Sequence, residues 1–175
     1  GVNHGPQLHV LGGKFGFGST SIPYFSAHLS LGQIFDSLKT PSELSAWMNE
    51  DEEIEALYQR SIDYSRVERG LLRYLTEDSG LRPKFFNSLT VALVPQLSGR
   101  FTGFESEGMA APGLPNPTST TCQIDAGPVS LGFYKEFNPD DPSTYALGEI
   151  CWNKDQVACV AIDGQHRLHA LKRMH

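Results

Sequence analysis

Apolar residues in this chain fall into short runs broken by glycine, proline and polar clusters, and the period of each run predicts its element. Between residues 8 and 27, brief apolar runs alternate with glycine (Leu8-His9-Val10-Leu11, Phe15-Gly16-Phe17-Gly18), which predicts one or two strands. Ser42 to Met48 predicts a short helix, with Pro41 before it and Glu43 in its first turn. Glu52 to Asp63 predicts a second, with Ile54, Leu57 and Tyr58 on one face. Tyr64 to Glu77 carries the strongest helical pattern, and Val67, Leu71, Tyr74 and Leu75 form its expected buried stripe. Pro83 closes the helical stretch. Leu89 to Val94 is β-rich and uncharged, as a buried strand would be. Cys122 to Asp125, Val129 to Tyr134 and Tyr145 to Cys151 are short strand candidates, and Asn138-Pro139-Asp140-Asp141-Pro142 is a turn by composition. Val157 to Ile162 predicts the last strand and Gln165 to Met174 the last helix.

Strands, then helices, a strand, more strands and a final strand–helix make a mixed α+β order, not a regular β-α-β alternation. Residues 1–175 are long enough for a single domain with its own core. The segment 98–121, rich in Gly, Pro, Ser and Thr, reads as a long loop of the kind that is mobile or functional. The chain ends shortly after its last helix begins, so the sequence predicts a domain truncated at its C-terminus, with what packs behind that helix missing. A net charge of −6 argues against a whole-surface nucleic-acid binder but leaves room for a local basic patch. The three cysteines, Cys122, Cys151 and Cys159, form no Cys-x-x-Cys pair, which suits a reducing cytoplasm and carries no structural zinc signature. No apolar run approaches membrane-spanning length.

The chemistry concentrates where the last strand meets the last helix, at Asp163-Gly164-Gln165-His166-Arg167. A strand feeding a glycine turn into a helix presents backbone N–H groups and the positive end of the helix dipole, a ready place for phosphate. Arg167 lies one turn in and forks well onto the same anion, although a surface ion pair would also account for it. Asp163 has two readings: an N-cap accepting the first-turn N–H groups, or a carboxylate holding a divalent metal such as Mg²⁺ beside the phosphate. Gly164 lets backbone approach a ligand or take an unusual φ. Gln165 can orient a water or a base edge, and His166 can act as acid or base. His166 and His169 are spaced to share a face, but no third metal ligand is placed by spacing. Arg66, Arg69 and Arg73 fall on one face of the strongest helix, as a solvated surface or as a basic strip for a polyanion. Gly12, Gly13, Gly16 and Gly18 lack the following Lys-Ser/Thr of a phosphate loop and read as turns.

The run Asp163-Gly164-Gln165-His166-Arg167, after an apolar strand and before Leu168-x-Ala170-Leu171, resembles the motif that names the DGQHR-domain family, which includes the DndB-type proteins of DNA phosphorothioation systems. Gln59-Arg60-x-x-Asp63-x-x-Arg66, Tyr74-Leu75 and Phe85-Phe86-Asn87-Ser88-Leu89-Thr90 resemble that family's arginine-bearing helix and the start of its next strand. At lower specificity the motif is similar to the ParB and sulfiredoxin superfamily, whose nucleotide site also uses a strand, a Gly-x-x-Arg turn and a helix. A Gln-Gln-Arg variant in restriction proteins belongs to the same wider resemblance.

The resemblance implies a ParB/sulfiredoxin-like mixed sheet with flanking helices, in a bacterial DNA-modification or defence setting. It implies a cytoplasmic, DNA-associated regulator that works with DNA-modification proteins, with homo-oligomer formation left open. Asp163, Gly164, Gln165, His166 and Arg167 would form the functional turn, with Arg60 and Arg66 facing it as phosphate-binding partners. Arg66, Arg69 and Arg73 would meet nucleic acid. An alternative is an NTPase or DNA-nicking nuclease that uses ATP or another NTP with Mg²⁺, with Asp163 as metal ligand and Asp163 and His166 catalytic. A further alternative is a non-catalytic protein-interaction module in which the motif is only a strand–helix junction.

Overall fold

A computed structural model describes residues 7–17, 20–44, 63–77, 86–114, 122–134 and 146–174. The architecture is α+β, with two sheets and short helices. The chain divides into two compact units: Gly1–Leu29, Pro95–Leu97 and Thr102–Val157, and Ser30–Val94, Ser98–Phe101 and Ala158–His175.

The first unit holds β1 (Leu8–Phe17), β2 (Thr20–Ala27), β6 (Cys122–Ala126), β7 (Val129–Phe133) and β8 (Ala146–Trp152). They form a five-stranded sheet in the order β2-β1-β8-β7-β6, antiparallel at every pairing. The alternation of side chains in a pleated strand sorts its residues. Leu8, Val10, Val129, Phe133, Ile150 and Trp152 are buried, and their registers (Leu8↔Ile150, Val10↔Gly148, Phe133↔Gly148) put them on one face. The β6–β7 turn passes through Gly127 at φ +52°, where a Cβ would fall 1.7 Å from the Phe104 carbonyl oxygen. Gly148 lies in the middle of β8, and a Cβ there would meet the Gly132 carbonyl oxygen at 2.2 Å.

The second unit begins at α1 (Leu31–Ser37), a helix the hydrophobic period does not predict. Its start carries a capping box: Ser30 Oγ accepts from the Gln33 N–H at 3.3 Å, and Gln33 Oε1 accepts from the Ser30 N–H at 2.9 Å. β3 (Leu38–Lys39) follows, then a 3₁₀ turn at Pro41–Glu43 in place of the helix expected at Ser42–Met48; residues 45–48 of that expected helix lie outside the described residues. The helix expected at 52–63 also lies outside them, apart from Asp63, which is not helical. Arg66–Leu72 is a π-helix that passes into α2 (Arg73–Thr76). Of the stripe expected there, Val67 is fully buried, Leu71 and Leu75 are half-buried, and Tyr74 is exposed. The wider i→i+5 winding explains the miss, because residues spaced for an α-helix no longer stack on one face.

β4 (Thr90–Leu97), β5 (Arg100–Phe101) and β9 (Val157–Asp163) complete a four-stranded sheet in the order β3-β9-β4-β5, with β3 parallel to β9. β4 is mostly half-buried, with Val91 exposed, and so is less enclosed than its uncharged sequence predicts. β9 is the central element: Val157, Ala158, Cys159, Val160 and Ala161 are all buried, as a strand covered on both faces requires. Ala158 and Val160 join Leu44, Val94 and Phe101 in one core cluster. Burial also pushes the Cys159 thiol up to about 12, which leaves it an inert core group. The segment predicted as a loop holds β5 and otherwise turns up to Leu114, and residues 115–121 lie outside the described residues. The final helix, α3, spans Gln165–Lys172. Among the described residues no helix is long and apolar enough to cross a membrane.

Two outcomes follow from this packing. Gly148→Ala forces a backbone shift in the antiparallel sheet and costs roughly 1–3 kcal/mol in urea unfolding. Glu43 is half-exposed and bonded to Lys172 Nζ at 2.7 and 2.9 Å. Burial raises its pKa, but the bonds from Lys172 and Thr40 outweigh this and hold it below its ordinary 4.5. A carboxylate with a depressed folded pKa stabilises above its unfolded value, and that gain is lost as pH falls through the folded one. Wild type should therefore exceed Glu43→Gln by about 0.5 kcal/mol at neutral pH. The two unfolding curves should converge as the pH is taken below 4.5.

Candidate functional site at the β9–α3 junction

β9 delivers Asp163 to the surface, and Gly164 then turns the chain into α3. Gly164 is the N-cap residue, at φ 82° and ψ 23°, and no side chain caps the helix. Asp163 is therefore not the N-cap that the sequence suggests. Its carboxylate turns back to Arg167, whose Nη2 donates to Asp163 Oδ2 at 3.3 Å. Arg167 Nη1 donates to the Ser88 carbonyl oxygen at 3.0 Å. The two partners differ sharply in exposure: 20% for the Arg167 side chain and 76% for Asp163.

Gly164 is required twice over. Its φ lies in the left-handed region, where a side chain is strained. A Cβ there would also lie 2.6 Å from Leu89 Cδ2 and 2.8 Å from Arg167 Nη2. The guanidinium thus occupies the space that a side chain at 164 would need. Asp163, Gly164 and Arg167 form one interlocked turn, with Ser88 and Leu89 as the wall it closes on.

His166 faces another partner. Its Nε2 accepts a hydrogen bond from the Asp63 backbone N–H at 3.0 Å. Asp63 in turn uses Oδ1 to accept from the Arg66 N–H at 3.1 Å. Arg66 therefore reaches this junction through its backbone, and its side chain is exposed. His169 stacks edge-on against Tyr64, with ring centroids 5.3 Å apart. Burial first, then the nearby charges of Arg173, Lys172 and His166, hold the His169 pKa below its ordinary value, against an opposing pull from Glu43. The last turn is tied by Lys172 to Glu43 and by Arg173 to Glu68.

The arginine strip is only partly assembled. Arg66, Arg69 and Arg73 are all exposed, but π winding moves residues three apart off a common stripe. Arg73 is also paired with Glu77. Arg60 lies outside the described residues. Gln165 is half-buried at the first position of α3. Among the described residues no group of three or more His, Cys, Asp or Glu side chains is placed to hold a metal ion.

Sequence reasoning missed two participants at this junction. The Ser88 carbonyl and the Asp63 N–H are backbone groups with no signature of their own. Away from the junction, in the first unit, it also missed Glu149, which is buried in mid-strand and accepts from Gln7 Nε2 at 2.7 Å and Tyr134 Oη at 2.6 Å. Its signal was present: a carboxylate in the middle of an apolar strand must find donors.

The interlock predicts unequal stability costs. Arg167→Ala removes a largely buried side chain along with its bonds to the Ser88 carbonyl and Asp163, and costs roughly 1–3 kcal/mol. Asp163→Asn removes only an exposed ion pair and costs less than about 1 kcal/mol. Chemical denaturation of both variants checks the order, and equal costs would show that the Ser88 bond contributes nothing.

No protein-family model, no curated protein and no solved structure matches this chain.

Proposed function

We propose that this chain is a DNA-associated regulatory module of a bacterial DNA-modification or defence system of the phosphorothioation type, with a ParB/sulfiredoxin-like fold, working in the cytoplasm beside DNA-modification proteins. In this reading the β9–α3 turn meets a phosphate of DNA or of a nucleotide. One observation carries it: a guanidinium fixed against an uncapped helix start. Arg167 is held in place by Ser88, and Gly164 leaves the first turn of α3 without a side-chain cap. A pre-positioned fork and first-turn N–H groups together suit a phosphate oxyanion. The exposed Arg66 and Arg69 add positive charge on the helix that His166 anchors.

The NTPase or nuclease reading asks more of the same residues. Asp163 would have to leave Arg167 to hold Mg²⁺, and His166 would have to give up the Asp63 N–H to move a proton. The interaction-module reading has a specific observation in its favour, the engagement of Arg167 by Asp163 and the Ser88 carbonyl. There the motif is an internal fastener and no phosphate is involved.

Fluorescence anisotropy with a short DNA duplex across a salt series separates these readings. The regulatory reading expects salt-sensitive binding in which Arg66→Ala/Arg69→Ala lowers the salt slope by about one per lost phosphate contact. Arg167→Lys, which keeps the charge but loses the fork, should weaken binding as well. Unchanged affinity in both variants would sink the regulatory reading. Loss of stability alone in Arg167→Lys would establish the fastener.

A further inference from the structure

We infer that Asp163 is an internal competitor for the anion at Arg167, so that the turn is closed by its own carboxylate until a phosphate displaces it. This rests on the phosphate reading above and concerns how that site is regulated.

The argument begins from the unequal hold on the two partners. Arg167 is held by its bond to the Ser88 carbonyl, lies close over Gly164, and has a side chain only 20% exposed. Asp163 has one described engagement, a single oxygen at 3.3 Å, while most of its side chain faces water. The carboxylate does not cap α3, since Gly164 takes that position. Asp163 can therefore swing into solvent at the cost of one exposed ion pair, whereas Arg167 would give up the burial of a side chain only 20% exposed together with its bond to the Ser88 carbonyl.

Carboxylate and phosphate compete for the same guanidinium nitrogen, Nη2. A phosphate carries more charge and more acceptor oxygens than the carboxylate, so it can take over the Nη2 donor that Asp163 now holds while Nη1 stays on Ser88. No covalent bond is made or broken in the exchange, and no metal is needed. The sign of the Asp163 effect separates this from a metal-ligand role. A metal ligand loses phosphate affinity when neutralised, and a competitor gains it.

The test is calorimetric titration of inorganic pyrophosphate, without Mg²⁺, into the full chain as wild type, Asp163→Asn, Asp163→Ser and Arg167→Lys. Thermal unfolding confirms that each variant is folded. Glu105→Gln controls for the change in net charge, because Glu105 is exposed and lies in the first unit. The expected result is binding about two- to fivefold tighter in both Asp163 variants than in wild type. It should be weaker in Arg167→Lys and unchanged in Glu105→Gln. Equal or weaker binding in the Asp163 variants for every phosphate probe that wild type binds (pyrophosphate, ATP and the duplex) overturns the competitor while leaving the phosphate reading intact. A gain shared by Glu105→Gln also overturns it. No binding by wild type or by either Asp163 variant, repeated with ATP and with a DNA duplex, overturns the phosphate reading itself. A gain confined to ATP or to the duplex identifies the source of the phosphate.

Discussion

The second unit depends on where the Arg167 guanidinium is placed. One terminal nitrogen bonds the Ser88 carbonyl, the other meets Asp163, and the group fills the space over Gly164. Each of these fixes something else. Ser88 sets the approach to β4, Asp163 ends β9, and Gly164 sets the direction of α3. An eight-residue helix has little stability of its own. α3 persists because contacts bind it along its whole length: His166 on the Asp63 N–H, His169 on Tyr64, Lys172 on Glu43 and Arg173 on Glu68. Buried Leu168 and Ala170 supply the apolar side of the same helix.

Polar burial in the first unit follows a different logic. Glu149 is held inside the sheet by donors at the ends of the neighbouring strands, Gln7 just before β1 and Tyr134 just after β7, with His9 Nδ1 at 3.5 Å. The hydrogen bond to Glu149, helped by burial and by its charge, keeps the Tyr134 phenol protonated and pushes it up to about 12. A charge in such a place is tolerated only when its acceptors are filled. These donors come from strands far apart in sequence, so the carboxylate also ties the register of β1 to that of β8.

What could be read from the sequence follows the range of the interactions. β6 to β9 and α3 are bounded by local turn chemistry and by runs of one period, and they fall within a residue or two of where the pattern puts them. α1 was missed although Ser30 and Gln33 spell out its capping box, because Gly32 and the short length hide any hydrophobic stripe. At the site, the five residues from Asp163 to Arg167 stand out by composition, but their partners do not. Ser88 and Asp63 contribute backbone atoms, and nothing in a side-chain pattern reports a carbonyl that will need a donor far along the chain. The expected capping role of Asp163 failed for a local reason: glycine at 164 takes the left-handed conformation and moves the cap one residue on.

The π-helix at Arg66–Leu72 carries one more residue in each hydrogen-bonded loop than an α-helix would. Removing a single residue from this run would let it relax into regular winding, and everything on its N-terminal side would then rotate relative to α2. Asp63, whose N–H holds His166, sits on that side. The extra residue is thus a spacer that sets the angular phase between the anchor of α3 and the rest of the helix. Along this segment insertions and deletions, more than substitutions, are what the architecture resists.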